Sequence, residues 1–162
     1  MSHGTHHGTH GNHAGAPHYL HLAVMTALSF IAMYILMYAM VDRLGYVYNS
    51  INQVYMAALM TAPMVIIELV VMRGMYADPR INALIIAGSA IVLVLAFSAI
   101  RYQAGVGDAQ FVRSMIPHHS GAILMCRGAS LQDAELQKLC AQIVDGQQKE
   151  IEQMQAILAR LK

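Results

Sequence analysis

Three long apolar runs, Tyr19 to Val41, Val54 to Met72 and Ile81 to Ile100, dominate the first hundred residues and are separated by short polar connectors. Rising about 1.5 Å per residue as a helix, each run covers the roughly 30 Å hydrocarbon core of a bilayer, so the pattern predicts three membrane-spanning helices. The connectors hold Asp42, Arg43 and Asn49, then Arg73, Asp78, Pro79 and Arg80. Segments this short predict an antiparallel bundle over residues 19–102. Tyr46, Tyr48, Tyr55, Tyr76 and Tyr102 fall near the run ends, where a ring with a polar tip suits the headgroup layer. Arg73 and Arg80 on one side balance Arg43 and Arg101 on the other, so the charges do not orient the bundle.

The pattern changes after Tyr102. A Gly-containing linker, QAGVGD, leads into a stretch from Asp108 onward that carries six basic and six acidic side chains and is expected to meet water. Asp108 is a candidate N-cap for a helix reaching about Arg127, Gly128 a stop, and Ser130 or Asp133 a cap for a second helix. Residues 108–162 therefore read as a helical hairpin. Its second helix has an apolar stripe of Leu136, Leu139, Cys140, Ile143, Ile151, Met154, Leu158 and Leu161. Two helices of this size do not close a core alone, so the stripe is expected to meet a second hairpin or the membrane bundle. A homodimer or higher homo-oligomer, with hairpins paired into a four-helix bundle, is the expectation. The fold class is all-α throughout.

At the other end, residues 1–18 form a Gly, Thr and His tract with no apolar periodicity, which reads as disordered. It lacks the positive start of a secretory signal, so the first apolar run is expected to remain as an uncleaved span.

Composition sharpens this picture. The chain is 57% hydrophobic and 12% charged, which fits lipid rather than water as its main solvent. A net charge of +1 without basic clusters excludes nucleic acid as a partner. Thirteen Met and nine His in 162 residues are the side chains that soft and borderline metals select. Seven of the nine His lie at or before His21, and the other two are the adjacent His118 and His119.

The densest chemistry lies in FVRSMIPHHSGAILMC, where Met115, His118, His119, Ala122 and Cys126 fall on neighbouring parts of one helix. Two or three of these atoms can reach one ion. Pro117 inside the helix leaves the Arg113 carbonyl without its usual donor. A histidine pair at such a bend can equally be satisfied by water. With a turn near residues 129–133, antiparallel register puts Met115 opposite Gln147 and His118 opposite Val144, with Met154 roughly 15 Å away. Met154 then belongs to the packing. Cys126 faces Leu136, so free thiols at Cys126 and Cys140 are expected, each a further soft ligand; a disulfide needs a shift of about one turn.

Asp108, Phe111, Met115, His118, His119, Ala122 and Met125, followed by Gln147, Glu150, Ile151 and Met154, resemble the bacterial family numbered 305 among domains of unknown function, which includes CopM-like periplasmic copper-binding proteins. That resemblance covers roughly Asp108 to Leu158. It implies a ferritin-like four-helix bundle, of which one hairpin is half, extracytoplasmic placement and, for some members, copper binding by Met and His. Joined to the three spans, this leads to the expectation of a multi-pass protein of the bacterial inner membrane with its hairpin in the periplasm and copper, as Cu(I), as the metal. With the helical spacing, the candidate metal ligands are Met115, His118 and His119, with Met125, Cys126, Cys140 and Met154 in second rank. One hairpin instead of two, fused to three spans, departs from the longer members.

The His-rich tail offers His3, His6, His7, His10 and His13 for weak metal capture, or serves only as a soluble leader. Met56, Met60 and Met64 recur every four residues in the second run, a spacing similar to the Ctr copper transporters, although ordinary packing explains it as well. Glu68 is the one acid inside a span and a possible ion contact. These residues support a membrane-anchored copper-binding protein for sequestration or transfer. A Met-lined copper permease and a metal-free membrane adaptor are the alternatives. No nucleophile with a base and orienting acid, phosphate-binding Gly loop or paired carboxylates is present, so no enzymatic activity is expected.

Overall fold

The computed structural model describes residues 16–161. Among these the chain is helical, in the order α1 (Ala16–Leu36), α2 (Ile51–Val71), α3 (Pro79–Arg101), α4 (Asp108–Gly128) and α5 (Ala134–Arg160). Two short 3₁₀ turns, Met37–Met40 and Leu44–Tyr46, lie between α1 and α2. Three stretches, Pro17–Met40, Ile51–Val71 and Pro79–Arg101, are long and apolar enough to cross a membrane. Residues 1–15, including His3, His6, His7, His10 and His13, lie outside the described residues.

Local chemistry sets where the spans begin. Ser50 Oγ accepts from the Gln53 backbone N–H at 3.3 Å, which starts α2 at Ile51, three residues before the apolar run. Asp78 Oδ1 accepts from the N–H groups of Arg80 (2.8 Å) and Ile81 (3.2 Å), and Pro79 takes the first helical position, where its missing N–H costs nothing. The polar residues of that connector thus belong to the helix they cap. In the bundle α2 is central, with α1 and α3 against it. Its core of Leu22, Val65, Leu69 and Tyr76 is small. Leu28, Ile35, Ile67, Leu84 and Val94 point outward, forming the apolar surface that lipid would cover.

The hairpin stands at the end of the bundle where α1 stops, α2 starts and α3 leaves. Val112, Ile116 and Ile123 of α4 pack on Ile151 and Leu158 of α5, and three of these five (Ile116, Ile123 and Ile151) are fully buried. What closes this core is the connector between α1 and α2. Tyr46 is 8% exposed and joins the cluster, with Val41 and Tyr48 beside it. Gln148 Nε2 donates to the Tyr46 hydroxyl at 3.1 Å and Gln155 Nε2 to that of Tyr48 at 3.4 Å. The Asp42 backbone N–H donates to the buried Ser120 Oγ (2.8 Å), and Arg127 donates to the Asp42 carboxylate at 2.8 Å. Gly121 lets the chain at Met40 come close, since a Cβ there would lie 3.4 Å from the Met40 carbonyl oxygen.

Two expectations change here. Tyr46 and Tyr76 are not headgroup anchors: Tyr46 sits in the hairpin core, and Tyr76 is buried with its hydroxyl donating to Glu68 at 2.8 Å. Tyr102 is 85% exposed. Asp108 is the first residue of α4 rather than its cap, placed where its charge favours the helix N-terminus. Asp133 caps α5 through Leu136 N–H at 2.9 Å, as one of the two candidates.

Candidate metal centre

Along α4 two stripes run side by side, each advancing by alternating steps of four and three residues. One stripe, Val112, Ile116, His119, Ile123 and Cys126, faces α5. The other, Phe111, Met115, His118, Ala122 and Met125, is displaced by one residue, a rotation of about 100°, and lines a cavity of about 640 Å³ between the hairpin and the membrane helices. Met37, Met40 and Met56 form part of the opposite wall. Five thioethers and one imidazole thus border a single space.

The histidine pair is split between these stripes. His118 is exposed at the cavity, whereas His119 turns to α5, its ring centroid 6.1 Å from that of His118. His119 Nδ1 lies 2.9 Å from the Met115 carbonyl oxygen, and its Nε2 lies 2.7 Å from Glu150 Oε2. Both ring nitrogens are engaged, and ligation through either requires that contact to be given up. Glu150, a partner that residue spacing alone did not assign to His119, ties α5 to α4 at this point.

The second-rank residues also separate. Met125 lies on the cavity, and Met154 packs against the hairpin core. The expected free thiols are corrected: Cys126 and Cys140 form a disulfide with a Cα–Cα distance of 5.2 Å, and no free cysteine remains among the described residues. The physical reason is the register. Ala129 to Asp133 are not helical, and this extended connector moves α5 by about one turn relative to a tight reversal, bringing Cys140 to Cys126. As a disulfide they offer no thiolate to a metal.

In the spans, Met56 reaches the cavity, while Met60 and Met64 are about two-fifths exposed on the outside of the single chain. Glu68 lies at the far end of α2 and accepts from Tyr76. Among the described residues no group of three His, Cys, Asp or Glu side chains forms a metal-binding cluster. The cavity wall also contains Asn52, whose Nδ2 donates to Gln103 Oε1 at 3.1 Å and whose Oδ1 is buried without a protein partner, a position suited to a bound water.

Residues 95–158 match the family described as Domain of unknown function (DUF305), so the match begins within α3 and runs through the linker and hairpin. An uncharacterized protein of Acanthamoeba polyphaga mimivirus is 31% identical over 144 residues, covering 87% of this chain and 93% of that protein. No solved structure matches the chain. The likeness to the viral protein includes the spans as well as the hairpin, and through its C-terminal region the chain belongs to the DUF305 family.

Proposed function

We propose that this chain is a membrane-anchored copper-binding protein that sequesters or hands over Cu(I) in copper homeostasis, with Met115, His118 and Met125 as the ligands contributed by the hairpin. One observation carries this reading: the three donors project from one stripe of α4 into a common cavity. The donor set fits the metal. Thioether and neutral imidazole suit Cu(I), zinc sites draw on thiolate, imidazole and carboxylate, and hard cations require oxygen ligands. His119 has a different part, holding α4 to α5 through Glu150. No catalytic step is involved.

We place the hairpin outside the cytoplasm, on the periplasmic face of a bacterial inner membrane. The Cys126–Cys140 disulfide supports this side, because such bonds persist in oxidising compartments. A copper permease would need Met60 and Met64 to face a path, and only an oligomer would enclose them.

The test is anaerobic titration of the full chain in detergent with Cu(I) against a chromophoric chelator. His118→Ala is expected to weaken binding at least tenfold, and His119→Ala to change it less than twofold. Absence of Cu(I) binding by the unmodified chain would overturn the proposal and favour a metal-free adaptor, and binding indifferent to His118→Ala would overturn the assignment of the site to this stripe.

A further inference from the structure

We infer that the metal site is a composite of both parts of the molecule, in which Met37, Met40 and Met56 of the membrane domain complete a thioether-rich site with Met115, His118 and Met125 of the hairpin. The inference rests on the copper-binding reading and extends it to residues outside the region that matches DUF305. Its basis is where three chain segments meet. The 3₁₀ turn after α1 brings Met37 and Met40, the second turn of α2 brings Met56, and α4 brings the remaining three, all on the wall of one cavity. These methionines are not the filling of a core. Met40, Met56 and Met125 are 54%, 39% and 61% exposed, and the buried clusters nearby are built from other residues. Soft, polarizable side chains left free around a shared space are what a soft monovalent cation selects.

The junction is held firmly enough to keep the two halves of such a site together. The Ile51 N–H donates to Gln110 Oε1 at 2.9 Å, Asp42 is bonded to Ser120 and Arg127, and the Tyr55 hydroxyl donates to the Ala104 carbonyl at 3.0 Å. These bonds link the start of α2, the middle of the α1–α2 connector and the interdomain linker around the cavity. The bound ion would then lie where α1 ends and α2 begins, at the membrane end of the hairpin and not between α4 and α5.

The experiment uses the full chain in lipid nanodiscs. A triple Met37→Leu, Met40→Leu, Met56→Leu variant keeps side-chain volume nearly constant and is expected to lose at least tenfold in Cu(I) affinity, with a Met60→Leu, Met64→Leu control unchanged. A second measurement needs no substitution: in the unmodified chain carrying ¹³C-methyl methionine, Ag(I), a redox-inert soft ion, should shift the Met37, Met40 and Met56 methyl resonances together with Met115 and Met125. Wild-type affinity in the triple variant, or Ag(I) shifts confined to Met115 and Met125, would overturn the composite site and leave a hairpin copper site standing. No binding of either ion by the unmodified chain would overturn the copper reading itself, and the composite site with it.

Discussion

Truncating Tyr46 to alanine should loosen the hairpin from a position more than sixty residues before it. Tyr46 is 8% exposed and belongs to the cluster that holds Val112, Ile116 and Ile151. Removing a buried aromatic ring costs about 3–5 kcal/mol, and a residue at the end of a connector that can partly relax falls near the lower figure. Its hydroxyl adds little: Gln148 Nε2 also donates to Glu152 Oε1 at 3.0 Å, so Tyr46→Phe should cost about 0.5–1.5 kcal/mol at most. A loss of about 3 kcal/mol raises the population of the opened hairpin more than a hundredfold. Amide hydrogen exchange reads that population directly. In Tyr46→Ala, protection at Ile116, Ile123 and Ile151 should fall by about two orders of magnitude, and Tyr102→Ala should leave it unchanged. Unaltered protection in Tyr46→Ala would mean that α4 and α5 are stable as a pair and that the connector only rests on them.

Other consequences can be checked in the same preparation. Glu150→Gln removes the charge from the His119 contact; because the Glu150 side chain is 55% exposed, the loss should be about 1 kcal/mol or less, with Cu(I) affinity unchanged within twofold, by thermal melting and titration. The Cys126–Cys140 bridge spans 14 positions, and its removal should cost about 3 kcal/mol; a maleimide reagent should label neither cysteine until a reductant is added, and labelling without reductant would refute the bridge. In intact cells, labelling after reduction with an impermeant reductant and reagent should succeed, and protection from both would reverse the proposed orientation. Burial first, and then the hydrogen bond to Glu68, push the Tyr76 hydroxyl up to about 12 from an ordinary value of 10.0. A raised value means that this part of the stability is complete below pH 10 and is lost as pH climbs through about 12, so melting temperatures in that window should fall more steeply for the unmodified chain than for Tyr76→Phe.

The spans could be read from sequence because the length of an apolar run answers to the thickness of a bilayer and needs no tertiary information. Their first residues could not be read from hydropathy. Ser50, Asp78 and Pro79 are polar or helix-breaking in composition, yet their work is to satisfy or forgo the N–H groups of the first helical turn. The existence of the hairpin was equally plain, but not its register. Residues 129–133 look the same in sequence whether they reverse tightly or run extended, and the difference moves every α5 residue about one turn along α4. That turn decides whether Cys126 meets Leu136 or Cys140.

The site depended on a still smaller displacement. His118 and His119 are adjacent in sequence and invite treatment as one ligand pair, yet on a helix one residue is about 100°, enough to assign them to different neighbours. The buried Val112, Ile116 and Ile123 fix which side of α4 meets α5, and His119 falls on that side with them. Phe111, Met115, His118, Ala122 and Met125 must then face elsewhere, and the four-three-four-three spacing that identifies them as a second stripe is present in the sequence. What it faces was not present there. The cavity takes its opposite wall from Met37 and Met40 because α1 tightens into a 3₁₀ turn and Gly121 admits the chain at Met40, and both are consequences of how the connector packs. The tyrosine that closes the hairpin core and two of the three methionines across from His118, Met37 and Met40, are therefore delivered by one segment, residues 37–46. Displacing that segment, as Tyr46→Ala does, should weaken Cu(I) binding without changing a single ligand, whereas a site confined to the hairpin stripe would retain Met115, His118 and Met125 on the same helix face and bind as before.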